Sequence, residues 1–425
     1  MAEFLMEGGH PLHGSVAVSG AKNAALPACI ASLLTDEPVI LREVPVLLDV
    51  STILYTLSAL GKRVVRNEGS VSIAGGNRLQ SEANPYSVRK MRASFLVLGP
   101  LLARLGEAVV PLPGGCAIGA RPVDLHLEGL RALGAHVVQR DGVVRVVADR
   151  LVGAEFSFPF PSVGATEQVL MTACLAQGRT TLRNAAVEPE VLDLIALLQS
   201  MGAVIAVEGR TISIDGVRAL RGTEHALIPD RMEAGTLLLA GLITGGRVVV
   251  SPARVDHMQS FLDTLREMGV QVILDGDTIG VERASRCDAV VVETSPYPGF
   301  PTDLHPQLVA CLALGRGTSR LREQVFERRF AYTDGLRSMG ARLDVQGQQL
   351  TVHGVDRFRA QRVEAPDIRG GAALVLAGLA AQGQTTITDV GHIERGHENL
   401  VGKLQELGAS IERREEPASS SSVVG

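Results

Sequence analysis

Tryptophan is missing from this chain, and aromatic residues make up only 3% of its 425 positions. A base-stacking platform needs a row of aromatic rings, so that route to nucleic-acid binding is excluded. A basic excess is missing too. Lys and Arg number 41 against 46 Asp and Glu, a net charge of −5, which offers no long-range field to nucleic acid or an anionic membrane. Cysteine is scarce: Cys29, Cys116, Cys174, Cys287 and Cys311 form no CxxC pair. An odd count without paired spacing speaks for a reducing, cytoplasmic setting rather than a disulfide framework. The His residues show no HExxH or other tight ligand spacing, and neither a phosphate loop nor a GxGxxG between strand and helix occurs. No metal and no cofactor are therefore expected. Apolar runs such as GTLLLAGLITGG stop at about a dozen residues, short of a membrane span, and MAEFLMEGGHPLHG has no signal-peptide pattern. The length fits two or three domains of about 150 residues each.

What the chain does have is repetition. TLSALG, GLRALG, LLQSMG, TLREMG, GLRSMG and KLQELG end amphipathic stretches at Gly61, Gly134, Gly202, Gly269, Gly340 and Gly408, about every 70 residues. A second series with the same period interleaves: LLARLGEAVV, CLAQGRTTL, GLITGGRVVV, LGRGTSRL and LAAQGQTTI, with glycine-free LLTDEPVIL as its first member. Each unit opens with a nearly all-apolar segment such as GGAALVLAGLA, which predicts a helix buried on every side. A glycine stop and a β-branched run follow, then an amphipathic helix ending at its own C′ glycine. Hairpins such as VIAV-EG-RTISI close the units. Six units predict two pseudo-symmetric α/β halves of three units each, dividing near Leu227-Ile228-Pro229. HGSVAVSG precedes the first unit and has no partner assigned by the repeat. EEPASSSSVVG reads as a disordered end, 416–425.

The starts of the buried helices, SGAKNAAL, VRKMRASF, PSVGATEQ, IPDRMEAG, FPTDLHPQ and APDIRGGA, carry most of the unusual polar residues. Asp230, Asp303 and Asp367 read first as N-caps. Lys22, Arg92, Arg231 and Arg369 do not fit a capping role, because cations near a helix N-terminus oppose its dipole. Arg121, Arg329 and Arg395 add charge at second-helix starts. If the starts share a face, they would bind a multiply anionic ligand. Cys116, in VPLPGGCAIGARPVDLH, is either a small hydrophobe or a reactive thiol exposed on a Gly/Pro loop near Arg121. Glu188 and Glu190 read as ordinary helix-start acids, and His392 and His397 as structural or solvent-facing.

SGAKNAALPA, MRAS, PGGCAIGARPVDLH, SVGAT, PDR-E-GT, FPTD, VFE-RF and HI-RG, in order from about residue 4 to 412, together resemble the UDP-N-acetylglucosamine enolpyruvyl transferases. The resemblance implies a two-domain inside-out α/β barrel of six βαβαββ-like repeats, three per domain. One domain would span 21–229 and the other 1–20 plus 230–415, with HGSVAVSG joining the second. It implies transfer of the enolpyruvyl group of phosphoenolpyruvate to the 3′-hydroxyl of UDP-N-acetylglucosamine. No nucleic-acid or membrane partner is implied, and the expected state is a monomer or weak oligomer.

The same resemblance implies the site. Lys22 and Asn23 would hold phosphoenolpyruvate, with Arg92, Arg121, Arg369 and Arg395 neutralising phosphate and carboxylate and Arg329 a further substrate-binding residue. Arg121, Pro122, Val123, Asp124, Leu125, Ser162, Val163, Gly164, Asp303 and Val325 would line the UDP-sugar site. Cys116 would be the proton donor, Asp303 the acceptor for the sugar hydroxyl, and Lys22 and Arg395 catalytic cations. Three positions depart from the family pattern: Arg328 stands for Asn, Val187 for a basic residue and His397 for Tyr. An alternative with the same donor is a 5-enolpyruvylshikimate-3-phosphate synthase, which lacks the PGGC loop. Another is a silent UDP-sugar-binding regulatory paralogue.

Overall fold

The computed structural model describes residues 2–114, 122–283 and 285–415. Cys116, Arg121 and the 416–425 tail lie outside them. The described chain divides into two compact units, one of residues 19–114 and 122–230, the other of 2–18 and 231–415.

Each unit is built around three helices that the sequence makes apolar on nearly every face. In the first unit these are Lys22–Ala31, Leu98–Leu105 and Val163–Ala173; in the second, Arg231–Thr244, His305–Ala313 and Ile368–Ala380. Small residues fill them, as in Ile368–Ala380, where almost every side chain from Arg369 onward is buried. Sheets wrap the helices, burying alternate residues, as period-two strands with one wet face must. The two cores therefore hold helix inside and sheet outside.

The glycines predicted to end the second helices, Gly61, Gly134, Gly202, Gly269, Gly340 and Gly408, all adopt φ between 74° and 105°. That left-handed conformation is the one a C′ residue needs, and only glycine takes it without strain. The predicted hairpins form: His136–Arg140 with Val143–Val147, Val204–Glu208 with Thr211–Asp215, and Gln271–Asp275 with Thr278–Glu282.

Two features were not visible in the repeat. Three short strands, Glu155–Ser157, Val291–Glu293 and Arg362–Glu364, pair in parallel with the strand that follows the next buried helix. Ala2–Glu7 forms a strand between Gln384–Thr388 and Ser410–Glu415, antiparallel to both, and completes the sixth hairpin from the opposite end of the chain. Its Phe4 and Met6 are each 1% exposed.

Strands are exchanged along the chain. His13–Ala17 precedes the first buried helix, yet pairs in parallel with Arg247–Ser251 after the fourth. Thr223–Ala226 precedes the fourth, yet pairs with Val39–Arg42 after the first. Where the chain enters and leaves the 19–230 segment, Ser19 O accepts from Asp230 N and Ala21 N donates to Ile228 O, both at 2.8 Å. Gly20 is obligatory at this crossing: a Cβ there would lie 1.7 Å from the Glu43 carbonyl oxygen.

Candidate functional site

In the 19–230 unit, Lys22 is the first residue of its helix and is buried. Its Nζ lies 2.7 Å from Asp49 Oδ2, the two side chains being 7% and 6% exposed. Its backbone N–H donates to Asp230 Oδ2 at 3.1 Å. Asp230, expected to cap the helix it precedes, thus also accepts from the first N–H of the Lys22–Ala31 helix. These two carboxylates offset the charge that an ammonium brings to a positive helix end. Asn23 beside it is exposed.

Arg92 starts the 3-10 turn Arg92–Val97, and its Nη2 donates to the Pro122 carbonyl at 2.9 Å. Pro122 and Asp124 are exposed, Val123 is buried and Leu125 is half-buried at the start of Asp124–Ala132. One turn along, His126 Nδ1 lies 3.2 Å from Gln168 Oε1, and its ring lies against Gly164, where a Cβ would come within 3.1 Å. Ser162 caps Val163–Ala173, its side chain accepting from Ala165 N at 3.4 Å, while Val163 is exposed. Direct contacts thus gather Arg92, Pro122–Leu125 and Ser162–Gly164, all at helix starts, where first-turn N–H groups lack intrahelical acceptors.

In the second unit, Asp303 is the hub. Its Oδ1 accepts from Arg329 Nη2 at 2.8 Å, and its Oδ2 from Arg369 Nε at 3.1 Å, with Arg369 Nη2 3.0 Å away. The expectation that Asp303 caps its helix is corrected here: the N-cap residue is Leu304, with no side-chain bond, and Asp303 turns to the guanidiniums instead. Asp367, by contrast, does cap, accepting from Arg369 N and Gly370 N. Both arginines are almost fully buried, and Arg329 Nε and Arg369 Nη1 have no acceptor among the described residues. Buried donors without acceptors are costly, and an anion would satisfy them.

Arg395 is half-buried and follows the short helix Gly391–Glu394. Gly396 lets that segment approach Arg369: a Cβ would lie 2.1 Å from Ile368 Cγ2 and 3.7 Å from Arg369 Nη1. Val325 is half-buried, its N–H donating to Glu323 Oε1 at 2.8 Å. Among the three departures, Arg328 is exposed, Val187 half-buried, and His397 buried with Nε2 3.5 Å from Thr236 Oγ1. Cys116 and Arg121 lie outside the described residues. Among the described residues, no group of three His, Cys, Asp or Glu is placed to hold a metal, and no helix is long and apolar enough to cross a membrane.

Sequence reasoning missed Asp49 and Glu323. Asp49 resembles any first-turn acid. Glu323 did leave a signal: period-two burial of Ser319 and Leu321 continues inward to Glu323, a charged residue at a core register position.

The EPSP synthase (3-phosphoshikimate 1-carboxyvinyltransferase) family matches residues 6–404. The UDP-N-acetylglucosamine 1-carboxyvinyltransferase of Paracoccus denitrificans is 48% identical over 424 residues, covering 98% of this chain and 100% of that protein. UDP-N-acetylglucosamine 1-carboxyvinyltransferase 2 of Carboxydothermus hydrogenoformans is 47% identical over 416 residues, covering 97% and 99%. Among solved structures, the enolpyruvyl transferase NikO from Streptomyces tendae superposes with a TM-score of 0.89 at 25% identity, covering 98% of this chain and 99% of that one. An EPSP synthase from Acinetobacter baumannii gives 0.75 at 19%, covering 98% and 100%, a likeness of fold alone.

Proposed function

The chain belongs to the EPSP synthase family and, within it, to the UDP-N-acetylglucosamine 1-carboxyvinyltransferases, and on that premise we propose the reaction its residues carry out. It transfers the enolpyruvyl group of phosphoenolpyruvate to the 3′-hydroxyl of UDP-N-acetylglucosamine and releases phosphate, the first committed step of peptidoglycan precursor synthesis. The geometric observation that carries this reading is the buried Arg329–Asp303–Arg369 bridge, with guanidinium donors to spare and a carboxylate poised beside them.

The chemistry needs an acid, a base and anion holders. Cys116 donates a proton to the methylene carbon of phosphoenolpyruvate, making the neighbouring carbon electrophilic. The sugar 3′-oxygen attacks that carbon while Asp303 takes the hydroxyl proton, giving a tetrahedral phospho-ketal. Loss of a proton from the resulting methyl group, returned to the Cys116 thiolate, and cleavage of the carbon–oxygen bond to phosphate then restore the double bond. An arriving phosphate or carboxylate competes with Asp303 for Arg369, and a guanidinium that turns to the substrate leaves Oδ2 free to act as base.

Lys22, Arg92, Arg121, Arg329, Arg369 and Arg395 stabilise the anionic groups by fixed charge, with Asn23 beside Lys22. Pro122 to Leu125, Ser162 to Gly164, Asp303 and Val325 receive the UDP-sugar. The protein works in the cytoplasm as a monomer or weak oligomer, supplies wall growth that shapes and divides the cell, and is a fosfomycin target.

Phosphate release from phosphoenolpyruvate tests the reading, with UDP-N-acetylglucosamine or shikimate 3-phosphate as acceptor. Turnover with the UDP-sugar alone is expected. Turnover with shikimate 3-phosphate alone would favour the other branch of the family, and none with either would leave the silent paralogue.

A further inference from the structure

Glu323 follows the strand Thr318–Arg322 and is fully buried. A buried carboxylate is costly unless every lone pair is used, and here all are engaged. Oε1 accepts from Val325 N at 2.8 Å and Phe326 N at 3.0 Å. Oε2 accepts from Thr302 Oγ1 and faces His305 Nδ1, each at 2.9 Å. Burial works against the charged carboxylate, but the His305 hydrogen bond and the two amides outweigh it and hold Glu323 below its usual range. Burial pushes His305 down as well. A neutral ring facing a carboxylate carries its proton on Nδ1. His305 Nε2 is buried without a partner, as suits the unprotonated nitrogen of that tautomer.

These bonds clamp both sides of the Asp303 bridge. Thr302 precedes Asp303 in the chain. Phe326 lies under Arg329, whose guanidinium carbon is 5.6 Å from the ring centroid, and Arg329 holds Asp303 Oδ1. Val325 is the residue expected to touch the UDP-sugar. We propose that Glu323, with its donor His305, is a positioning residue for the transfer: it fixes Asp303, Arg329 and Val325 in one register. The inference rests on the function proposed above.

The test is kinetics per binding-competent site. UDP-N-acetylglucosamine calorimetry on the full chain gives the number of such sites, and phosphate release then gives kcat and KM. Glu323→Gln keeps the size but turns an amide NH2 toward donors. It should lower kcat per site about 10²-fold, the scale of loss expected for a misplacement near 1 Å. His305→Gln, which can still donate to Oε2, should stay near the parental kcat, whereas His305→Leu should fall with Glu323→Gln. A merely structural carboxylate predicts fewer folded sites and a lower melting temperature, with kcat and KM per site unchanged. That result overturns the positioning role. If Glu323→Gln does not fold, Thr302→Val removes one donor from the Asp303 side, and an unchanged kcat per site there overturns the role equally. Parental enzyme inactive on both substrates would sink the proposed function, and this inference with it. An active parent beside an equally active Glu323→Gln sinks the inference alone.

Discussion

At the scale of single residues, chemistry separates groups that look alike in sequence. Cys29, Cys174, Cys287 and Cys311 are buried free thiols. Burial pushes Cys29 and Cys174 up to about 12, and Cys311 well above its usual value. Protonated and inaccessible, they are poor nucleophiles at neutral pH. In native protein treated with fosfomycin we expect a single adduct, at Cys116, forming faster with UDP-sugar present and located by peptide mass mapping. Adducts at any of the other four would remove the case for a distinctive thiol. Cys116→Ser should lose about 10²–10⁴-fold in phosphate release, the usual contribution of general acid catalysis. Cys116→Asp, still an acid, should retain much more, and a fully active Cys116→Ser would end the proton-donor assignment. Asp303 and Asp367 show what sequence leaves open: both precede a buried helix, and only the fold reveals that one caps while the other bridges two guanidiniums.

Among the helices and strands, the helix-ending glycines and two-residue hairpin turns were legible because local chemistry fixes them. The three-residue parallel strands were not, since three residues cannot display a period and their pairing depends on a distant helix. Ala2–Glu7 does alternate, with Phe4 and Met6 inward, but nothing local says that its neighbours lie near the other end of the chain. The helix Val163–Ala173 carries a less visible burden. Glu167 is buried, and burial, with the charges of Glu190 and Glu188, holds its carboxyl well above the usual carboxylate value of 4.5. The folded chain therefore keeps a proton that the unfolded chain has lost. Between 4.5 and the raised folded value, stability falls as pH rises. Glu167→Gln should relieve this, with a melting-temperature gain that is small near about pH 5 and larger near about pH 8. Equal gains at both would show that Glu167 is not the responsible group.

For the whole molecule, the decisive fact is that the unit of 19–114 and 122–230 has all three of its sheets between residues 19 and 230, whereas the other unit is assembled from 2–18 and 231–415. A fragment spanning 19–230 should unfold cooperatively by circular dichroism. A fragment beginning at 231 lacks Ala2–Glu7 and His13–Ala17, leaving two sheets each short of a strand. It should stay unfolded until the 2–18 segment is fused or added back. Cooperative folding of the 231 fragment alone would contradict this. The split also imposes an order on synthesis. A ribosome adding about 5–20 residues per second makes Ala2–Glu7 on the order of 20–80 seconds before its neighbours Gln384–Thr388 and Ser410–Glu415. Through that interval the inserted stretch can finish while its host waits, Phe4 and Met6 still without their sheet. Translation that stops anywhere beyond residue 230 but before 384 therefore yields a completed insert attached to a host that can never close.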